Sequence, residues 1–245
     1  MNGRTLACWG EVELLQFSER VGRAHSYALL LPQTALFFDA ALPIEEAQEI
    51  AGSRAIHLFL THGHIDHIRC LDDYLLAEVP IFLSEGTQYY VEDMEYNLCD
   101  LLGLLPYSRR LQTLRFAHAY PDANLGEAKK KVEAEAYCLE DGDAMSLAPS
   151  GLWRLEVHLL PGHSLGDTLY LIYEGDRLRA AITGDILFAD SIGRSDFPGS
   201  SPEAQKESLD KLRDWIRTWP DDAYLCPGHA RTQTLGSVIE CHPFL

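Results

Sequence analysis

Along the first forty residues, apolar stretches broken by turn-forming residues read as β-structure. Glu11–Phe17, Ser26–Leu31 and Ala35–Phe38 read as strands, the last two joined through a Pro32-Gln33-Thr34 turn. Residues 43–51 change to a helical pattern. Pro43 stands early in it, and Glu45 and Glu46 sit near the positive end of the helix dipole. Ile56–Leu60 is a short unbroken apolar run, as a buried strand shows. A helix over Asp66–Ala77 would gather Ile68, Leu71, Leu75 and Leu76 on one side. Val79–Leu83 follows as a strand, and Ser84-Glu85 opens a further helix.

The periodicity fades between about residues 96 and 135. Leu101–Leu105, Arg109-Arg110 and the Lys129-Lys130-Lys131 run lie among the breakers Gly103, Pro106, Pro121 and Gly126. This stretch reads as a helical and loop insertion, not as a domain of its own. Strand signals resume at Ala136–Leu139, Ala144–Leu147, Trp153–Leu160, Thr168–Tyr173 and Leu178–Thr183. Ser201 and Pro202 then open a helix in which Leu209, Leu212, Ile216 and Trp219 recur at three- and four-residue spacing. Ala223–Leu225 is the last expected strand, and a short helix closes the chain. Strands followed by helix in each half suit two sheets packed face to face with helices outside. The expectation is one α/β domain over residues 1–245, interrupted by the insertion.

At 47% hydrophobic and 23% charged residues, a chain of 245 residues can bury a large core. The 37 acidic residues outnumber the 20 basic ones, for a formal net charge of −17. Such a surface repels phosphate backbones and anionic bilayers, so neither nucleic acid nor membrane is an expected partner. No basic-then-apolar leader opens the sequence and no apolar run approaches membrane-spanning length. Six cysteines without a CxxC pair suit reduced thiols, so the expected location is cytoplasmic.

The chemistry begins where the Ile56–Leu60 strand stops. Thr61 is followed by His62, His64, Asp66 and His67, and imidazole with carboxylate at this density is typical of divalent-metal ligands. In extended chain His62 and His64 point the same way and can share one ion. Asp66 and His67, at a helix start, turn toward a second. Taken alone, the cluster could also be a surface histidine patch on a loop. Three further polar residues stand just beyond strand-like runs with glycine beside them: His163 after Gly162, Asp185 after Gly184 and His229 after Gly228. Together they supply seven ligands, enough for two ions that share one carboxylate.

The pattern His62-x-His64-x-Asp66-His67, then His163, Asp185 and His229, resembles the metallo-β-lactamase-fold hydrolases. The resemblance implies a four-layer αββα sandwich of two mixed sheets flanked by helices. Thr183-Gly184-Asp185-Ile186-Leu187-Phe188 and the stretch Ser191–Gly199 resemble the glyoxalase II-like (hydroxyacylglutathione hydrolase-like) branch. Carried over residue by residue, the family's pattern gives His62, His64 and His163 to the first metal and Asp66, His67 and His229 to the second. Asp185 bridges them, and its being an aspartate separates the chain from the β-lactamases. The implied cofactor is a pair of divalent ions, zinc foremost, with iron or manganese as alternatives. A hydroxide between them would attack a thioester or ester carbonyl, and Asp66 would orient it and handle its proton.

Asp39 and Thr183 are candidates to hold the ligand imidazoles from behind or, equally, simply to cap their strand ends. Tyr89, Tyr96, Tyr107 and Arg109 are candidates to line the substrate pocket. Gly162-His163-Ser164-Leu165-Gly166 departs from the family's usual Gly-His-Thr-Pro-Gly, and 16 residues follow His229 where glyoxalase II enzymes add a glutathione-binding helical domain. The expected substrate is therefore a small thioester or ester, without a commitment to glutathione. Two other functions suit the same residues: a persulfide dioxygenase with a single iron on this fold, and a non-catalytic protein using the metals as a ligand pocket. The sequence does not set the oligomeric state.

Overall fold

Two mixed β-sheets lie at the centre of the computed structural model, which describes residues 3–18, 24–93, 95–99, 115–117, 135–239 and 242–245. In the first sheet, β1 (Arg4–Trp9), β2 (Val12–Ser18), β3 (His25–Leu30) and β4 (Thr34–Phe38) run antiparallel in sequence order. Parallel pairing then adds β5 (Ala55–Phe59), β6 (Ile81–Ser84) and, beyond it, β8 (Glu135–Leu139) with β7 (Arg115–Ala117) at the edge. The second sheet holds β9 (Ala144–Ser146), β10 (Trp153–Leu159), β11 (Thr168–Glu174) and β12 (Arg177–Gly184) as antiparallel neighbours. There β13 (Tyr224–Pro227) pairs parallel to β12, and β14 (Gln233–Thr234) closes the edge.

The two faces of each sheet sort side chains into three apolar layers. Leu14, Leu29, Phe38 and Phe59 of the first sheet meet Leu155, Val157, Ile172 and Ile182 of the second in one cluster. The opposite face of the first sheet, with Leu30, Phe37 and Leu58, packs against α1 (Ile44–Ala51), α2 (Ile65–Ile68), α3 (Leu71–Leu76) and Val91 of α4 (Glu85–Glu92). Leu171, Ala181 and Leu225 of the second sheet carry α5 (Pro202–Ile216) through Leu209, Leu212 and Ile216. Ser201 caps α5 by accepting from the Ala204 amide at 3.2 Å. The order helix, sheet, sheet, helix is the four-layer αββα sandwich.

Several local readings differ from the structure. β1 had no sequence signal, because its edge position leaves an irregular mixture of exposed and half-buried residues. The helix expected over 66–77 is two short helices. Between them, the Cys70 amide donates to Ala40 O at 2.8 Å and the Ala40 amide to His67 O at 2.6 Å, which pins the chain to the end of β4. Leu76, expected on the apolar side, is consequently 61% exposed. β7 lies inside the segment expected to be helix and loop. Tyr107, Arg109 and the lysine run lie outside the described residues. Among those described, no helix is long and apolar enough to cross a membrane.

Strand direction is what positions the site. β11 runs against both neighbours, so β10, β12 and β13 point the same way and release their C-terminal loops at one edge. His163, Asp185 and His229 stand on those three loops. β5 delivers His62 and His64 to the same place, and α2 begins immediately afterwards with Asp66 and His67.

Candidate metal centre

Seven side chains from four loops converge into overlapping groups. His62, His64 and His163 form one group, Asp66, His67 and His229 another, and His62, His67 and Asp185 a third, each within 4.8 Å. Asp185 touches both ends: its Oδ1 lies 3.4 Å from His67 Nε2, and its Oδ2 lies 3.5 Å from His163 Nε2 and 3.4 Å from His229 Nε2. His163 Nε2 is 2.8 Å from His64 Nδ1, and His229 Nε2 is 3.2 Å from Asp66 Oδ2.

Hydrogen bonding behind the rings decides which nitrogen is bare. Asp39 Oδ2 can only accept, so the 2.7 Å contact with His67 Nδ1 places a proton on that nitrogen and turns Nε2 inward. The Thr61 hydroxyl donates to Asp39 at 2.8 Å, so it must accept from His62 Nδ1 at 3.1 Å. Arg194 O likewise accepts from His163 Nδ1 at 2.6 Å. Three imidazoles are thereby fixed with Nε2 turned toward one another and the carboxylates. His62 Nε2 and Asp185 Oδ1 are buried without any hydrogen-bond partner. Ring nitrogens and carboxylate oxygens crowded this closely are an unfavourable arrangement for a protein alone and a favourable one around a cation. The donor set of imidazole and carboxylate fits a divalent ion of the zinc or iron kind.

The comparison with known sequences adds the family. The sequence profile of the Metallo-beta-lactamase superfamily matches residues 29–229, which contain all seven side chains. The chain belongs to the metallo-beta-lactamase superfamily. It is 26% identical over 230 residues to the probable metallo-hydrolase YqgX of Bacillus subtilis (strain 168), covering 91% of this chain and 92% of that one. It is 29% identical over 188 residues to the hydroxyacylglutathione hydrolase GloC of Haemophilus influenzae, covering 77% of this chain and 74% of that one. The crystal structure of the BLEG-1 B3 metallo-beta-lactamase shares the fold with a TM-score of 0.70 at 22% identity, spanning 95% of this chain and 99% of that one.

The electrostatics of this superfamily member favour a cation at the cluster. Burial keeps His62 well below the ordinary histidine range and takes His64 down to about 3, so both are neutral donors at physiological pH. For His67, burial acts downward but Asp39, Asp66 and Asp185 outweigh it and raise the imidazole well above its ordinary value. At His229 burial is again opposed, by the hydrogen bond to Asp66 and the charge of Asp185, with a net rise. The two carboxylates shift the other way. Burial would raise Asp66 and Asp185, yet His67 leads the effects that hold both below the usual carboxylate range.

Glycine permits the close packing around the ligands. A Cβ on Gly228 would overlap Asp185 Oδ1 and stand 2.5 Å from His67 Cε1, and one on Gly193 would stand 2.9 Å from His163 Nδ1. Thr183, expected behind an imidazole, instead donates from its hydroxyl to Leu187 O at 2.7 Å and so shapes the turn carrying Asp185. Arg194, exposed, pairs with Asp196 at 2.7 Å and lies over the Phe197 ring at 4.6 Å, and its backbone carbonyl reaches His163.

The expected pocket residues are distributed unevenly. Tyr96 packs edge-on against Tyr90 at 5.4 Å, and Tyr90 in turn packs on His64 at 5.6 Å. Tyr89 is half exposed and touches Tyr96 at 5.0 Å, away from the ligands. Sequence reasoning missed two aromatic walls. Phe197 lies 5.7 Å from His64 and 6.0 Å from His163, and Phe188 lies 5.9 Å from His229. Both stand in the motifs that carried the branch resemblance, which was the available signal.

Proposed function

We propose that this protein is a hydrolase of small thioesters that works with two divalent ions. His62, His64 and His163 would hold one ion and Asp66, His67 and His229 the other, with Asp185 shared. The observation that carries the reading is the placement of Asp185, whose two oxygens face ring nitrogens of both groups. Such a pair of ions, zinc being the first choice, supplies Lewis acidity at the carbonyl and makes water a competent nucleophile near neutral pH.

The remaining work belongs to side chains. Asp66, partly exposed and ionised at neutral pH, faces the open side of the cluster beside His229 and is placed to orient the attacking water and accept its proton. Asp39 and Thr61 keep His62 and His67 in one tautomer through the cycle. Phe197, with Tyr90 behind His64, presents an apolar wall suited to the acyl part of the substrate and sheds water from it. Tyr96 extends that wall, whereas Tyr89 stands at its outer rim. The similarity to GloC supports a thioester over other acyl compounds.

The test is hydrolysis of simple acyl thioesters by chelator-treated and metal-restored protein, with β-lactam hydrolysis and persulfide-dependent oxygen uptake measured beside it. Thioester turnover that disappears on chelation and returns with zinc is expected. Oxygen consumption by an iron-loaded protein without thioester turnover would replace this reading with a dioxygenase.

A further inference from the structure

The inward-facing stripes of three neighbouring strands change character at one level. On β2 the row Val12, Leu14 continues as Gln16 and Ser18, and on β3 the row Leu29, Tyr27 continues as His25. Arg4 lies directly opposite Gln16 on β1, and Ser18 opposite His25. The apolar layer between the sheets thus ends in a polar cavity of about 310 Å³, closed on the other side by Arg231 and Gln233 near β14. Gln16 and His25 are buried in this row while Ser18, Arg4 and Arg231 stand at its exposed mouth, and each buried polar position forgoes apolar burial.

Charge supplies a reason for them. In a chain of net charge −17, the described residues lining this cavity include two arginines and no carboxylate. Arg154, Arg177, Arg179, Arg194, Arg213 and Arg217 each meet a carboxylate. Among the described residues Arg4 and Arg231 meet none. The cavity also adjoins the metal centre. The His25 amide donates to Gly228 O at 2.7 Å and its Nε2 to Ala230 O at 2.7 Å, the two residues flanking His229. His25 Nδ1 then accepts from the Ser18 hydroxyl at 2.9 Å, so the histidine builds the wall while the guanidinium groups and the amides of Gln16 and Gln233 remain as donors.

We infer that Arg4 and Arg231 bind an anionic group, carboxylate or phosphate, at the far end of the substrate's leaving thiol. The inference rests on the hydrolase reading and adds a substrate class to it: acyl thioesters of anionic thiols. The acyl part lies toward Phe197 and the leaving part toward His229 and the arginine cavity. Guanidinium is suited to either oxyanion because it offers paired donors.

The test compares acetyl thioesters of 3-mercaptopropionate, 2-mercaptoethyl phosphate and neutral 2-mercaptoethanol on the parent and on Arg4→Ala, Arg231→Ala and the double variant, each with its metal content measured. The ratio of kcat/KM for an anionic over the neutral thioester is expected to fall at least roughly tenfold in the double variant, since hydrogen bonds to charged groups are worth that much or more. The larger fall identifies the anion. A ratio that moves less than about threefold for both anions overturns the inference. Should the parent hydrolyse none of the three, the hydrolase reading fails and the cavity is judged by calorimetric titration of the metal-loaded proteins with succinate and inorganic phosphate. Binding at least about tenfold tighter to the parent than to the double variant supports the cavity, and equal binding refutes it.

Discussion

Asp39 Oδ2 accepts the Nδ1 proton of His67 at 2.7 Å, from a residue whose own backbone is left-handed at φ 64°. Aspartate and asparagine tolerate that conformation better than other side chains bearing Cβ. The same carboxylate receives the Thr61 amide at 2.7 Å and the Thr61 hydroxyl, so one side chain aligns two imidazoles. Asp39→Asn keeps shape and backbone but offers its Oδ1 as the sole acceptor and adds a donor. Affinity for the second metal is expected to fall about 10–100-fold, the usual cost of losing such a partner. Competition with a chromogenic chelator measures it. Unchanged affinity would mean that Asp39 serves the β4 end and not the metal site.

Asp66→Ala separates metal holding from turnover. His67, His229 and Asp185 remain for the second ion, while the carboxylate facing the open side is removed. Turnover is expected to fall about 10²-fold or more while most of the metal is retained. Near-parent turnover in a metal-loaded variant would remove Asp66 from the mechanism.

Gly228→Ala introduces a methyl where Asp185 Oδ1 and His67 Cε1 already stand. Both neighbours are buried and His67 is held from behind by Asp39, so the cluster must spread. The expected result is a folded protein that binds less metal, read by circular dichroism and elemental analysis together. Full metal occupancy would show that the cluster is looser than its packing implies.

Much of the centre was legible because its residues follow strand ends, and strand ends are marked by apolar runs that stop at glycine or threonine. His62 to His67 is local, and its spacing alone separates two ligand groups. His163, Asp185 and His229 could be placed beside it because β10, β12 and β13 share a direction. What escaped depends on contacts between distant loops. Phe197 and Phe188 meet the histidines only after the 185–201 loop folds back, and no local period marks them. Thr183 looked like a partner of an imidazole because it precedes Asp185, but its hydroxyl satisfies its own turn. The break between α2 and α3 follows from hydrogen bonds to Ala40, thirty residues earlier than Cys70 and invisible to helical periodicity.

His57 offers a pH test away from the metals. It faces the inter-sheet layer beside Phe82 at 6.0 Å, is 3% exposed, and its Nδ1 has no hydrogen-bond partner. Burial takes its pKa from 6.5 down to about 4. Between those values the unfolded chain binds a proton that the folded chain does not. Stability therefore rises with pH across the window and is lost as pH falls from 6.5 toward 4, by roughly 3 kcal/mol in full. His57→Leu should flatten the acid limb of the stability curve by that order. Urea midpoints of both proteins, chelator-treated so that ligand protonation is common to them, check it. Identical acid limbs would assign the loss to other groups.

In the proposed thioesterase site two ions act together. This is tested most directly by adding zinc in known equivalents to chelator-treated protein and following thioester turnover. Turnover is expected to climb through the second equivalent and level off at two ions per chain, in keeping with the carboxylate of Asp185 that faces both ligand groups. A plateau at one equivalent, or no turnover with two bound, would contradict it.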